Sequence, residues 1–253
     1  MRRLSPYLKA RSVEELWALH TAQMAEFGFD RLLYAFTCFQ SAHSVSNPED
    51  ALILTNYPSE YIDTYVSKGL FREAPMMKWA SRNVGSISWR YMWDETDGAV
   101  PSCQQRDLKA LNHRFGVTSG YTISFPMAIK RSAAGIGLVA RDGMDQADVD
   151  ALWACRGEEI EIINHVAHLA ITQLPATGQS RILTPRQSEV LELVAGGKSV
   201  RDIALILGRK AATVDKHLRG ARDSLGVETT AQAVRKASVL NQIFIVEPGS
   251  GLS

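Results

Sequence analysis

The sequence predicts an α/β protein in two parts: an N-terminal α-β-α sandwich around a central antiparallel sheet, then an all-α domain of four short helices. Three observations carry this. Up to about residue 172, segments with helical apolar spacing alternate with apolar, aromatic runs of strand character. Residues 174–182 lose all periodicity in a stretch of proline, glycine and small polar residues. Beyond it, helix-start signals recur at short intervals. The expected boundaries are 1–173 for the first domain, 174–182 for the linker and 183–253 for the second.

In the first domain, Ser12 and Glu15 can form a capping box for a helix with Val13, Leu16, Trp17, His20, Met24 and Phe27 on its apolar side. Gly28 ends it. Residues 31–40 and 51–57 read as strands, and Pro58 to about Ala80 as helical pieces with Tyr61 and Tyr65 on one face. Residues 120–129 and 133–140 read as a hairpin. A long helix then runs from about Gln146 to Thr172, its apolar face including Val149, Ile160 and Ile163.

Four helices follow in the second domain. Thr184-Pro185-Arg186-Gln187 is a compact start, with Thr as N-cap, Pro at N1 and Gln at N3. Ser199 with Asp202 opens a second helix. A third reaches about Leu225 with Val214, Leu218, Ala221 and Leu225 inward, and Thr229 with Gln232 caps a fourth.

Charge and composition narrow the function. The chain of 253 residues carries a formal charge of only +1. Residues 181–253, however, hold 11 basic against 7 acidic side chains, so a polyanionic partner is not excluded. The three cysteines, Cys38, Cys103 and Cys155, have no metal-ligand or disulfide-framework spacing, and the histidines are scattered. Cofactors and metals are not expected. Cys103, His113 and His43 have no mutual spacing that would orient a nucleophile, so no enzyme activity is expected. With no run of 18 apolar residues and no signal-peptide pattern, a cytoplasmic chain is expected.

The third helix of the second domain carries the chemistry. With its apolar stripe inward, it turns Asp215, Lys216, Arg219 and Arg222 outward, and Arg209 and Lys210 stand at its entrance. Bases at a helix N-terminus oppose the macrodipole, a cost that a bound phosphate removes. Two helices joined by a glycine turn, the second basic on one side, predict helix-turn-helix binding to double-stranded DNA. The spelling agrees. Leu183-Thr184-Pro185-Arg186, Glu189-Val190-Leu191, Gly197-Lys198-Ser199, Ile203-Ala204, Leu207, Thr213-Val214, His217 and Leu225-Gly226-Val227 resemble the DNA-binding domain of the LuxR family. That resemblance makes residues 211–224 the recognition helix, with Lys198, Arg209, Lys210, Thr213, Asp215, Lys216, Arg219 and Arg222 as candidate DNA contacts. Gln187 stands where the family has Glu, and Lys210-Ala211 replaces the common Ser-Glu cap.

The resemblance extends into the first domain. Phosphoacceptor domains need an acidic pair that residues 1–60 do not offer. The acyl-homoserine-lactone-binding type has Trp-x-x-x-Tyr, then Asp-Pro, then a Trp and a later glycine. Here Tyr61-x-x-x-Tyr65, Ala74-Pro75, Trp89 and the run Phe115 to Ile123 keep that spacing. Tyr57, Tyr61, Tyr65, Phe71, Ala74, Pro75, Met76, Trp89, Trp93, Phe115 and Met127 are the candidate pocket residues. In lactone-binding members the Asp accepts from the ligand amide and the first Trp donates to the lactone carbonyl. Ala74 cannot accept, Tyr61 could still donate, and Glu73 is a nearby replacement only if the backbone shifts.

The resemblance therefore implies a quorum-sensing-type regulator with an altered pocket. Its signal is a less polar molecule, a weakly held lactone, or absent; in the last case the domain serves mainly for dimerisation. A homodimer on a palindromic operator is expected, because two-fold pairing sets two recognition helices about 34 Å apart. The apolar faces of helix 146–172 and of the first helix are the expected dimer surfaces.

Overall fold

A computed structural model describes residues 3–37, 51–91, 101–127, 132–174 and 182–244. The chain divides into two compact units, one of residues 1–7 and 17–169, the other of residues 8–16 and 170–253. Trp93, Cys38 and His43 lie outside the described residues.

The first unit is built on a five-stranded sheet, all pairs antiparallel, in the order β2-β1-β5-β4-β3. The strands are β1 (Phe29–Thr37), β2 (Ala51–Thr55), β3 (Gly85–Ser88), β4 (Gly120–Phe125) and β5 (Ala133–Ala140). The predicted pairing of residues 120–129 with 133–140 is present as β4 against β5. β3 was not legible in the sequence: four residues, two of them serine and one glycine, give no apolar alternation.

Period two divides each strand between two layers. Tyr34, Phe36, Ile136 and Leu138 face α1 (Val13–Glu26) and α5 (Gln146–Ile171) and are buried. The register pairs Leu33 with Gly137 and Ala35 with Gly135 on the opposite face. That face is covered by α2 (Ser59–Ser67), a 3₁₀ turn (Leu70–Arg72), α3 (Pro75–Ala80) and α4 (Cys103–Arg114). Sequence periodicity does not announce α4, whose buried residues are Leu108 and Leu111. Its start was nevertheless readable as the capping box of Ser102 and Gln105.

On the α1/α5 face two histidines sit in the core. The Tyr7 hydroxyl donates to His20 Nδ1 at 2.8 Å, and His20 Nε2 donates to Asn164 Oδ1 at 3.1 Å. The Tyr34 hydroxyl and His168 Nδ1 are hydrogen-bonded at 2.9 Å, and Phe125 stacks on that imidazole at 4.4 Å. Burial disfavours the charged ring, lowering each pKa from 6.5 to about 4. The unfolded chain therefore binds more protons in this range. The stabilisation is full above about pH 6.5 and lost progressively as pH falls to about 4. Urea unfolding at pH 5 is expected to show stability lower by on the order of 2 kcal/mol per histidine than at pH 7. In His20→Gln that loss should shrink by about half; an unchanged pH profile would reject the assignment.

The second unit contains α6 (Pro185–Ala195), α7 (Val200–Ile206), α8 (Ala211–Leu225) and α9 (Thr230–Val239). The capping boxes read from Thr184 with Gln187, Ser199 with Asp202 and Thr229 with Gln232 are all formed. Lys210 at the N-cap of α8 makes no side-chain capping bond, and Gly226 ends that helix in the left-handed region. Val190, Leu191, Ile203, Val214, Leu218, Ala221 and Leu225 form the small core.

Candidate functional site

Between the sheet and its α2–α4 cover lies a cavity of about 180 Å³. Helical spacing in α2 puts Tyr61 and Tyr65 on the inner face, both buried, with rings stacked 5.5 Å apart. Tyr57 packs on Tyr61 at 4.8 Å, and Phe71 closes the far side of Tyr65 at 6.3 Å. Tyr57, Tyr61, Tyr65, Phe71, Ala74, Pro75, Met76 and Trp89 all line the cavity. Phe115 stands behind Tyr61, edge-on at 5.6 Å, and does not reach the wall. Met127 is half-buried outside the wall, because β4 ends at Phe125 and the chain leaves the sheet there.

The floor was missed in the sequence. Leu33 and Ala35 of β1, Ala133, Gly135 and Gly137 of β5, and Thr122 of β4 supply it. Alternation within each strand was readable; which strands lie side by side was not. Asn112 of α4 was missed for the same reason, lying 51 residues from its partner Tyr61.

Two pairs of polar groups in the wall satisfy each other. Tyr61 donates to Asn112 Oδ1 and Trp89 Nε1 donates to Thr122 Oγ1, each at 2.8 Å. The Tyr57 and Tyr65 hydroxyls make no hydrogen bond with any described residue. Burial pushes the phenols of Tyr57, Tyr61 and Tyr65 well above their ordinary pKa, so all three keep their protons. Among the described lining residues there is no Asp, Glu, Lys, Arg or His. Ala74 is the N-cap of α3 and offers only a methyl group. Glu73 does not line the cavity; it accepts from Lys78 Nζ at 3.1 Å. The described residues contain no group of three or more His, Cys, Asp or Glu able to hold a metal ion.

Trp89 reaches this wall through a close backbone approach. Its amide donates to the Gly120 carbonyl at 3.1 Å. A Cβ on Gly120 would stand 2.1 Å from the Leu138 carbonyl oxygen and 3.1 Å from Trp89 Cε3. Gly120 is thus the point where indole, β4 and β5 meet.

In the second unit, Lys198, Arg209, Lys210, Asp215, Lys216 and Arg219 are exposed and Thr213 is half-buried. Arg222 differs: half-buried, it donates to Thr230 Oγ1 at 3.0 Å and so ties α8 to α9. His217 is half-buried on the flank of α8. Gly208, at φ +61°, makes the turn between α7 and α8.

A sandwich with a cavity walled by aromatic and apolar side chains, together with a helix-turn-helix bearing a basic outer ridge, defines a DNA-binding regulator with a ligand-binding domain. Residues 12–171 match the family described as autoinducer binding domain, and residues 181–237 that described as bacterial regulatory proteins, luxR family. The transcriptional activator YukR of Yersinia ruckeri is 27% identical over 200 residues, covering 75% of this chain and 85% of that protein. EchR of Dickeya chrysanthemi is 24% identical over 234 residues, covering 87% and 90%. The crystal structure of Escherichia coli SdiA shares the fold, with a TM-score of 0.52 at 15% identity over 96% of each chain. The chain belongs to the LuxR family of quorum-sensing-type transcriptional regulators. Members of this family bind DNA as dimers and are not enzymes. No helix among the described residues is long and apolar enough to cross a membrane.

Proposed function

We propose that the chain is a dimeric transcription factor that reads a two-fold operator through α8 under the control of an uncharged small molecule held in the sandwich cavity. The signal is not an acyl-homoserine lactone. One observation carries this reading: among the described residues the wall offers the Tyr57 and Tyr65 hydroxyls, which bond to no described residue, and no carboxylate. A signal with carbonyl or ether acceptors matches such a wall. An acyl-homoserine lactone brings an amide N–H to the region of Ala74, where no carboxylate awaits it. An unpaired buried donor costs about 1–3 kcal/mol, roughly ten- to a hundredfold in affinity.

A matched pair of probes tests the reading: N-decanoyl-homoserine lactone and its analogue with CH₂ in place of the amide N–H. The analogue is expected to raise the melting temperature more, in line with mass-action stabilisation. In Ala74→Asp the order should reverse. Stronger stabilisation of the wild type by the amide would refute the assignment.

The pairs Tyr61–Asn112 and Trp89–Thr122 favour a second reading, a ligand-independent factor, since they satisfy polar wall groups without a guest. Absence of any thermal shift across a signal library, with operator binding intact, would establish it.

Two exposed apolar side chains on one side of α5, Ile162 and Leu169, support pairing of two copies along that helix. The first helix is a poorer candidate than its sequence suggests, because Val13, Leu16, Met24 and Phe27 are already buried in the monomer.

A further inference from the structure

We infer that Ala212 reads the 5-methyl group of a thymine in the operator, and that this thymine lies about two to three base pairs from a guanine read by Lys216 or Arg219. The inference rests on the assignment of α8 as the helix that enters the major groove. At 3.6 residues per turn, burial of Val214, Leu218, Ala221 and Leu225 fixes the opposite ridge of α8 as Ala212, Lys216, Arg219 and Asp223. All four are exposed, as is Ala211.

The first turn of that ridge therefore presents methyl groups and no polar side chain. Acidic or hydroxylated residues would stabilise a helix start better, through capping and the macrodipole. Lys210 supplies no side-chain cap, so Ala211 and Ala212 bring this helix start intrinsic propensity but neither a cap nor a charge that favours the macrodipole. The N-terminal turn of a recognition helix is the part that meets base edges. In the major groove the one apolar feature of any base edge is the thymine methyl, which pairs with alanine. Guanine O6 and N7 suit Lys216 and Arg219. A rise of 1.5 Å per residue sets Lys216 about 6 Å and Arg219 about 10 Å beyond Ala212. With bases stacked 3.4 Å apart, these distances span about two and three base pairs.

The operator can be obtained by crosslinking the full-length protein to DNA in the cells that make it, where any signal it uses is present. Each thymine of a half-site is then replaced by deoxyuridine, which removes only the methyl group. Binding is measured with an extract of the same culture in every sample. One replacement in each half-site removes two methyl groups from the two-fold operator and is expected to weaken binding about fifteenfold, roughly fourfold for each buried methyl group lost. Ala212→Gly should bind the thymine and uracil operators equally, whereas Lys216→Ala should keep the difference. Equal affinity of the wild type for thymine and uracil at every position overturns the inference while leaving the DNA-binding reading intact. Failure to recover any selectively bound DNA removes both.

Discussion

Replacing Lys216 and Arg219 together by alanine is expected to lower affinity for the operator at least a hundredfold at moderate salt. A well-formed side-chain contact to a base edge is worth about 1–3 kcal/mol, and a two-fold complex presents each residue twice. Both side chains are exposed on the outer ridge of α8, so unfolding should move by no more than about 0.5 kcal/mol. Arg222→Ala is the informative contrast. It breaks the bond to Thr230 that ties α8 to α9, so its effect should appear in stability before it appears in base selectivity. Fluorescence anisotropy across a salt series, paired with urea unfolding, separates the two. Retention of selective binding by the double variant would remove α8 as the reading helix.

Gly120→Ala is expected to destabilise the sandwich by about 3 kcal/mol or more. A methyl group there would stand 2.1 Å from the Leu138 carbonyl oxygen, an overlap with backbone that no rotamer change relieves. Tyr121 pairs with Leu138 at this point, so β4 must move off β5 and take the Trp89 contact with it. Gly143→Ala is the control. Its Cβ would meet nothing within 4 Å, but φ is +89°, so the cost should be the strain of a left-handed backbone alone, about 1–2 kcal/mol. Urea midpoints of the two variants check the ranking. A Gly120→Ala protein as stable as Gly143→Ala would mean that β4 and β5 are less tightly joined than described.

What the sequence made legible was local. Thr184, Ser199 and Thr229 announce helix starts because a cap and its N3 partner lie three residues apart. The inward stripe of α8 could be read because Val214, Leu218 and Ala221 repeat within one helix. Tyr61 and Tyr65 share a face for the same reason. What escaped depends on distant pairing. Gly135 and Gly137 became cavity floor only once β5 lay beside β1, and Asn112 became part of the site only through Tyr61. His20 and Asn164, 144 residues apart, meet inside the core. Neither is apolar, so binary patterning alone gives no reason to pair them there. Ala74 drew notice only through the family resemblance, since an alanine in isolation carries no sign that a carboxylate is expected there.

Among the described residues the cavity lining carries no charge, and this separates the two binding events thermodynamically. Filling it releases no counterions and takes up no protons, so occupancy by an uncharged guest is nearly indifferent to ionic strength and leaves mainly a negative heat-capacity change. Binding of a polyanion by the second unit displaces condensed cations and weakens steeply as salt rises. Ionic strength therefore acts directly on DNA binding, and in the absence of DNA the occupancy of the cavity should hardly change with salt.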